Sequence, residues 1–471
     1  GYVILKNIVE NKHKGIFRGK IYPINPYAEE ILGLKVYPSI LKVSEKVDLA
    51  IIVVPAKIVP QIIEECGRKN VKAAIIISAG FSEVGNVKLE KTVFKIAKKY
   101  GLRIIGPNCL GIFSPYNGID TFFLPVYKDL RSGKNILATP RPQKGYLSFI
   151  SQSGAFGTAA LDYMWGEGIG IRYFISYGNR IDVDEADMLE YLGEDEYTRA
   201  IMMYVEGIEN GRKFMRIAKK VSIKKPIIAL KAGRTKAGAR AAVSHTAALA
   251  GRDEIYEAAF KQCGVIRAYS MKDFFIMAKA LVYQPPAKGN RVAIITDGGG
   301  AGVMTTDACE INGLEVKKIV GRSRKKLKSL IDNGILPKFA VIDNPIDLTG
   351  SASTEMYAET FKIMLADKNI DSIIILALHH VPGIEFLDEF ISNLVEVNEK
   401  YNVERKPVVC VDIGGSPAAN YVRDGFDKHF IPSYSSPEDA VIAVKALVQY
   451  GAYLRRRRVF KRYVKSWRPL V

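Results

Sequence analysis

His245 is one of five histidines in 471 residues, and it sits in the stretch AGARAAVSHTAALAG (237–251), where its near neighbours are all small. An imidazole that titrates near neutrality can act as base, acid or nucleophile. The space around it implies a ring that accepts something large or swings between two places; the plain alternative is an incidental histidine on a loop. Glu206 closes the apolar run AIMMYVEG (200–207). A carboxylate on one ring nitrogen fixes the tautomer and leaves the other nitrogen free to attack; the plain alternative is a solvated loop acid. Ser151, Ser153 and Gly154 lie in ISQSGAFGTAALD (150–162), which aligns without a gap with ITDGGGAGVMTTD (295–307). Gly154 matches Gly299, Gly157 matches Gly302 and Asp162 matches Asp307. Each copy runs from a strand through a polar pair and G-x-x-G into a helix. A helix start there presents unpaired N–H groups and a positive dipole end to an anion. Ser151, Ser153 and Gly154 in one copy, and Gly299, Gly300 and Gly302 in the other, are therefore candidate phosphate or carboxylate seats; a merely structural turn is the alternative. A histidine with open space, an acid to orient it and two anion-holding helix starts are what a phosphohistidine intermediate needs.

The elements that must position these groups are legible as alternating strands and helices. Strand-length apolar runs recur at 47–54, 72–80, 102–106, 145–151, 171–178, 200–207, 226–233, 291–299, 371–378 and 406–415, separated by amphipathic stretches. Apolar β-branched runs of this kind belong to parallel sheets covered on both faces, and ligand sites then gather at the strands' carboxyl ends. Two Pro- and Gly-rich stretches, 129–145 and 283–290, read as linkers. They divide the chain into α/β domains at 1–125, 145–283 and 290–452, with a basic tail at 453–471.

Composition sets bounds on the partners. The chain is 48% hydrophobic and 25% charged, ordinary values for a globular protein. It shows no run of about 20 apolar residues to span a membrane and no leader pattern, so a cytoplasmic location without membrane attachment is expected. Cys66, Cys109, Cys263, Cys309 and Cys410 lie in apolar segments without CxxC spacing; they read as reduced, buried thiols, and no metal site is expected. The net charge is +19. Its densest cluster, RRRRVFKRYVK (455–465), comes with no RNA- or DNA-binding motif. A solvated tail, an acidic partner or a polyphosphate ligand explains the charge better than nucleic acid.

SHTAALAG, preceded by KAGRTKAGARAAV, resembles the active-histidine loop of ADP-forming acyl-CoA synthetases and is similar to the phosphohistidine loop of succinyl-CoA synthetase. The resemblance extends over YPINP (22–26), VVPAK (53–57), IISAGFSEVG (76–85), GPNCLGI (106–112), SQSGAFGTA (151–159), YGNRIDVDEADMLEYL (177–192), YVEGI (204–208), ITDGGGAGVMTTDA (295–308) and NPIDLTG (344–350). It implies three doubly wound α/β domains: a Rossmann-like CoA-binding domain, then two flavodoxin-like, succinyl-CoA synthetase-like domains. It also implies that His245 is transiently phosphorylated, that Glu206 orients it, and that the two glycine turns clasp one phosphate. Loops at Asn25 and Pro26, at Val54, Pro55 and Lys57, at Ser78, Gly80 and Phe81, and at Asn108 and Cys109 would meet CoA.

The chain departs from the family pattern in four ways. It begins at Gly1-Tyr2, where relatives carry a preceding strand and Gly-rich turn; Ala247 stands where glycine is frequent; Asp297 stands where Asn is common; and nothing resembles an ATP-grasp domain. The resemblance therefore implies the α subunit of an α2β2 enzyme. A separate ATP-grasp β subunit would hold ADP or ATP with Mg2+, and the basic tail would be a docking element. The implied reaction interconverts acyl-CoA, ADP and phosphate with acid, CoA and ATP. A CoA-binding regulatory or scaffold subunit without catalysis is the alternative.

Overall fold

In the computed structural model, residues 1–240 and 252–470 are described. All ten anticipated apolar runs contain strands, and the chain divides into two compact units, Gly1–Tyr269 and Ser270–Val471.

The first unit contains two parallel-type sheets. Leu49–Ile52, Ala73–Ile76 and Arg103–Ile105 form a three-stranded parallel sheet in that order. Its core is built from Ile52, Val59, Ile63, Ile76, Phe81 and Val93 among others. The helix Tyr2–His13 places Ile4 and Ile8 against Ile75, Ile77 and Cys109. The larger sheet runs Val265–Ala268, Ile227–Lys231, Ala200–Val205, Lys144–Ser151, Ile171–Ser176, Gly111–Ser114 and Ile119–Asp120. Five of these strands are parallel. Gly111–Ser114, assigned by sequence to the first domain, instead adds antiparallel to Ile171–Ser176.

The stretch 129–145 is no free linker. Tyr127–Asp129 and Asn135–Leu137 pair as a hairpin, and the Arg141 Nε then reaches Asp120 Oδ2 at 2.8 Å, with its guanidinium 4.7 Å from the Phe122 ring centre. That anchor ties the segment to the edge of the larger sheet.

The second unit is built on one sheet, ordered Val341–Ile342, Ile346–Asp347, Val292–Thr296, Ser372–Leu376, Val408–Val411 and Ser433–Tyr434. The helix Met271–Tyr283, which the sequence reading placed with the middle domain, packs here against Pro437–Arg456. The stretch after it is also structured. Gln284 Nε2 donates to Phe430 O at 2.7 Å, and its Oε1 accepts from Val408 N at 2.9 Å. Pairing with a sheet strand removes the freedom a linker would need.

The basic tail is folded, with most of its charges facing solvent. Tyr453 and Leu454 are buried, a second helix spans Phe460–Ser466, and Arg405 closes its end by donating to Trp467 O at 2.6 Å. Arg455 to Arg458 remain exposed. All five cysteines are buried and free, and burial pushes Cys66, Cys109 and Cys309 up to about 12. Among the described residues no helix is long and apolar enough to cross a membrane.

Candidate functional site

His245 and its neighbours 241–251 lie outside the described residues. The groups expected to serve it can be placed. Glu206 follows the strand Ala200–Val205 and is 8% exposed. Its turn is gripped by three side chains from other segments. Gln152 Oε1 accepts from the backbone N–H of Glu206 at 2.8 Å and of Gly207 at 3.2 Å. Arg180 donates to Gly207 O at 2.6 Å, and the Tyr256 hydroxyl accepts from Ile208 N at 3.1 Å. The Tyr204 hydroxyl adds a bond of 3.3 Å to Glu206 Oε1. Buried amides left unpaired would each cost about 1–3 kcal/mol, so these partners hold the carboxylate in one place rather than letting it sample solvent.

A cation stands one strand further along the same carboxyl edge. Lys231 ends Ile227–Lys231, is 1% exposed, and lies 4.7 Å from the Tyr256 ring centre. Burial lowers its pKa, against the opposing pull of Asp253 and Glu206. Beneath the turn, burial pushes the Glu185 carboxyl up to about 7 despite the Arg180 charge.

The two glycine turns are both helix starts. Helix Gly154–Gly166 is capped by Ser153, whose Oγ accepts from Phe156 N at 3.3 Å, a standard way to satisfy one first-turn donor. Ser151 Oγ donates to Ser153 O at 2.6 Å and braces the turn from below. Gly154 is packed under Leu110, and a Cβ on Gly157 would come within 2.5 Å of the Phe174 ring. The absence of side chains here lets helix and strand close together. Helix Gly299–Ile311 starts from Gly298 without a side-chain cap. A Cβ at Gly299 would lie 2.9 Å from Asp347 Oδ2, one at Gly302 3.0 Å from Thr296 Cγ2, and one at Gly300 would meet nothing. Asp297, which stands where an asparagine was anticipated, is 3% exposed and its Oδ2 accepts from Leu378 N at 3.0 Å. Burial pushes its carboxyl up to about 7. At that value the site is at least partly neutral, which removes much of the repulsion a full carboxylate would exert on a nearby anion.

In the first sheet, the loops expected to meet CoA fall into two groups. Pro26, Pro55, Lys57 and Asn108 are exposed, and Asn25, Val54, Ser78 and Gly80 are half-buried. Phe81 is fully buried in the core, and Cys109 turns its thiol toward Ile76 O at 3.4 Å. Those two side chains are drawn into the apolar interior, as an aromatic ring and a thiol at a strand end commonly are. Ser78 Oγ donates to Val54 O at 2.5 Å, and Asn108 N donates to Ser78 O at 2.9 Å. Asn25 Oδ1 accepts from Tyr27 N at 2.8 Å and shapes its own turn.

Sequence reasoning missed Gln152, Lys231, Arg180 and Asn179. Asn179 Nδ2 donates to Glu83 Oε2 at 2.6 Å and Glu90 Oε2 at 2.9 Å, and its Oδ1 faces Asn108 Nδ2 at 3.3 Å. Partial burial disfavours the Glu83 carboxylate, yet Asn179 and the Gly80 and Phe81 N–H groups outweigh it and hold its carboxyl below the usual range. The available signal was position: Gln152 lies between the two chosen serines, Lys231 ends a strand, and Asn179 and Arg180 follow one. Among the described residues no group of three or more His, Cys, Asp or Glu is placed to hold a metal ion.

Comparison with known proteins gives three matched segments: a CoA binding domain over 1–115, a succinyl-CoA ligase like flavodoxin domain over 144–281, and a Ligase-CoA domain over 292–456. The chain is 42% identical over 457 residues to the acetate–CoA ligase [ADP-forming] II subunit alpha of Pyrococcus furiosus, covering 95% of this chain and 93% of that one. It is 41% identical to the acetate–CoA ligase [ADP-forming] of Methanocaldococcus jannaschii, covering 96% of this chain but 60% of that longer one. Among solved structures, the dinucleotide forming acetyl-coenzyme A synthetase 1 of Ca. Korarchaeum cryptofilum, in complex with phosphate and ADP, superposes with a TM-score of 0.85 at 37% identity, covering 96% of this chain and 94% of that one.

Proposed function

The chain belongs to the family of ADP-forming acetate–CoA ligase α subunits, and from that premise we propose that it is the CoA-binding, phosphoryl-carrying half of an ADP-forming acid–CoA ligase. Phosphate attacks the thioester carbonyl, the C–S bond breaks, and acyl phosphate and CoA result. A ring nitrogen of His245 then attacks phosphorus and releases the free acid. Glu206 holds the other ring nitrogen and stabilises the charge that develops on the imidazole. The turn at Ser151, Ser153 and Gly154 and the turn at Gly299, Gly300 and Gly302 each offer helix N–H groups to phosphate oxygens. Lys57, Asn25, Pro26, Val54, Pro55, Ser78, Gly80 and Asn108 supply the CoA loops of the first sheet, with Phe81 and Cys109 shaping them from below.

The observation that carries this reading is the grip of Gln152, Arg180 and Tyr256 on the Glu206–Ile208 turn. A solvated loop acid has no need of three anchors from distant segments, two of them buried; an orienting carboxylate does. The same grip speaks against a scaffold subunit that has lost its chemistry. The anion seats here are N–H and hydroxyl groups, which suit phosphate and not a metal ion, so Mg2+ travels with the nucleotide phosphates. Nucleotide binding falls to an ATP-grasp partner subunit in an α2β2 assembly, a division supported by the subunit alpha names of the Pyrococcus relatives. The enzyme acts in the cytoplasm, where CoA and ADP are held.

Incubation with acetyl-CoA and labelled inorganic phosphate tests the assignment. Wild type takes up acid-labile label and His245→Ala takes up none. Label of equal amount on the alanine variant, or none on wild type, would overturn it.

A further inference from the structure

The second unit carries a serine, a histidine and an aspartate joined in one hydrogen-bonded line, none of which the phosphoryl chemistry uses. Strands Ser372–Leu376 and Val408–Val411 are parallel neighbours, with Leu376 level with Val411. The chain leaving the first strand delivers His379. The chain leaving the second delivers Asp412, then Gly414-Gly415-Ser416. His379 Nδ1 lies 2.8 Å from Asp412 Oδ1, and His379 Nε2 lies 3.0 Å from Ser416 Oγ.

The proton positions follow from the partners. Asp412 is 1% exposed and has no other side-chain contact for its Oδ2, so its carboxylate takes the Nδ1 proton. That leaves Nε2 with a lone pair, and the Ser416 hydroxyl donates to it. The hydroxyl oxygen also accepts from Ala419 N at 3.1 Å, which fixes the serine rotamer at the start of helix Pro417–Lys428. Arg423, one turn further on, donates to Gly414 O at 2.9 Å and to Asp412 O, holding the loop in place.

Access is from the lip of this loop. Gly414, Gly415 and Pro417 are exposed and Ser416 is half-buried, whereas the His379 side chain is only 8% exposed, its ring 3.8 Å from that of His380. A Cβ on Gly415 would meet nothing within 4 Å, so the residue before Ser416 borders open space. Pro417 has no N–H, and the N–H groups of Ala419 and Asn420 already bond Ser416 Oγ and Ser416 O, so the Ala418 N–H is the first-turn donor left to receive an oxyanion formed at Ser416. A serine proton held by a neutral imidazole, itself oriented by a buried carboxylate, is the arrangement that makes serine a nucleophile.

We propose that Ser416, His379 and Asp412 form an acyl-transfer centre that cleaves acyl esters and thioesters. Ser416 Oγ bonds to the acyl carbon as the bond to the leaving oxygen or sulfur breaks. The serine proton passes to His379 Nε2 and on to the leaving group. Water then attacks the acyl-serine, its proton returning through His379 to Ser416 Oγ, and the free acid departs.

A fluorophosphonate probe on the full chain, followed by peptide mapping, tests this. Label appears on Ser416, is lost in Ser416→Ala, and forms at least about 10²-fold more slowly in His379→Gln and Asp412→Asn. p-Nitrophenyl acetate gives a burst of one equivalent of nitrophenol in wild type alone. His379→Gln keeps the Ser416 helix cap, so it decides the matter even if Ser416→Ala fails to fold. Equal labelling of wild type and His379→Gln, or no label at Ser416, makes the serine a helix cap only and overturns the proposal. Either result leaves phosphorylation of His245 unaffected, so the two readings fail separately.

Discussion

The two glycine turns are copies of one device that the chain has specialised differently. In the first, Ser151 Oγ donates to the carbonyl two residues on, and Gln152 accepts from the backbone at the end of the adjacent strand. In the second, Thr296 Oγ1 makes the same kind of bond to Gly298 O at 3.0 Å, and Asp297 accepts from Leu378 N beside its own adjacent strand. The scaffold is therefore conserved between copies down to individual hydrogen bonds. The chemistry is not. The first copy has a serine cap, a neutral amide and the gripped Glu206; the second has a bare glycine start and a buried carboxyl of its own. A neutral brace leaves the first turn's charge to Glu206 and Lys231, while the second turn's charge varies with pH.

The sharpest way to break this comparison is to exchange the acids. Glu206→Gln keeps the Tyr204 contact but removes the carboxylate proposed to orient His245, and on that proposal turnover with the partner subunit falls by about 10²-fold or more. Asp297→Asn, which keeps the acceptor for Leu378 N, leaves turnover within a few-fold. A steady-state assay of both variants decides whether the two acids differ in role as their surroundings indicate.

Packing gives the next largest effect. Gly157→Ala drives a methyl into the Phe174 ring and costs about 2 kcal/mol, whereas Gly302→Ala meets the Thr296 methyl at 3.0 Å and Pro345 Cβ at 3.3 Å and costs about 1 kcal/mol. The denaturant transition of each variant measures the difference.

The pH dependence comes third. Burial raises the Asp297 carboxyl from 3.8 to about 7, so the folded chain binds a proton that the unfolded chain has lost. The stability this contributes is present below pH about 4 and is lost as the pH rises toward about 7. Asp297→Asn flattens that fall, by about 1–2 kcal/mol, in melts recorded at pH 5 and pH 8. Gln152→Glu should deepen a fall of the same sign at the first copy, where the buried Glu185 carboxyl already supplies one. The smallest effect is at the cap: Ser153→Ala costs about 1 kcal/mol, read by the same denaturant titration.

Much of this was legible before any coordinates. The helix start at Ser153 and Gly154, the matching start at Gly299, and the ten apolar strands follow from side-chain type and spacing along a few residues. Burial of the Phe81 and Cys109 side chains was not legible, because a loop motif says which residues lie at a strand end but not which way each side chain turns. Strands Gly111–Ser114 and Val265–Ala268 were missed, and the packing of helix Met271–Tyr283 against Pro437–Arg456 was not foreseen. Short edge strands carry little periodic signal, and a helix with buried residues all round its surface does not announce its partner.

The sequence by itself determined the alternation of strand and helix, the two glycine-turn copies and the family to which the chain belongs, because propensity, period and motif are properties of neighbouring residues. Only the tertiary structure decided that Gln152, Arg180 and Tyr256 converge on one turn, across separations of 27 to 54 residues, and that His379 meets both Asp412 and Ser416. Those meetings depend on which strands lie side by side and in what register. That choice is made by the burial of whole sheet faces, and no local stretch of chain encodes it.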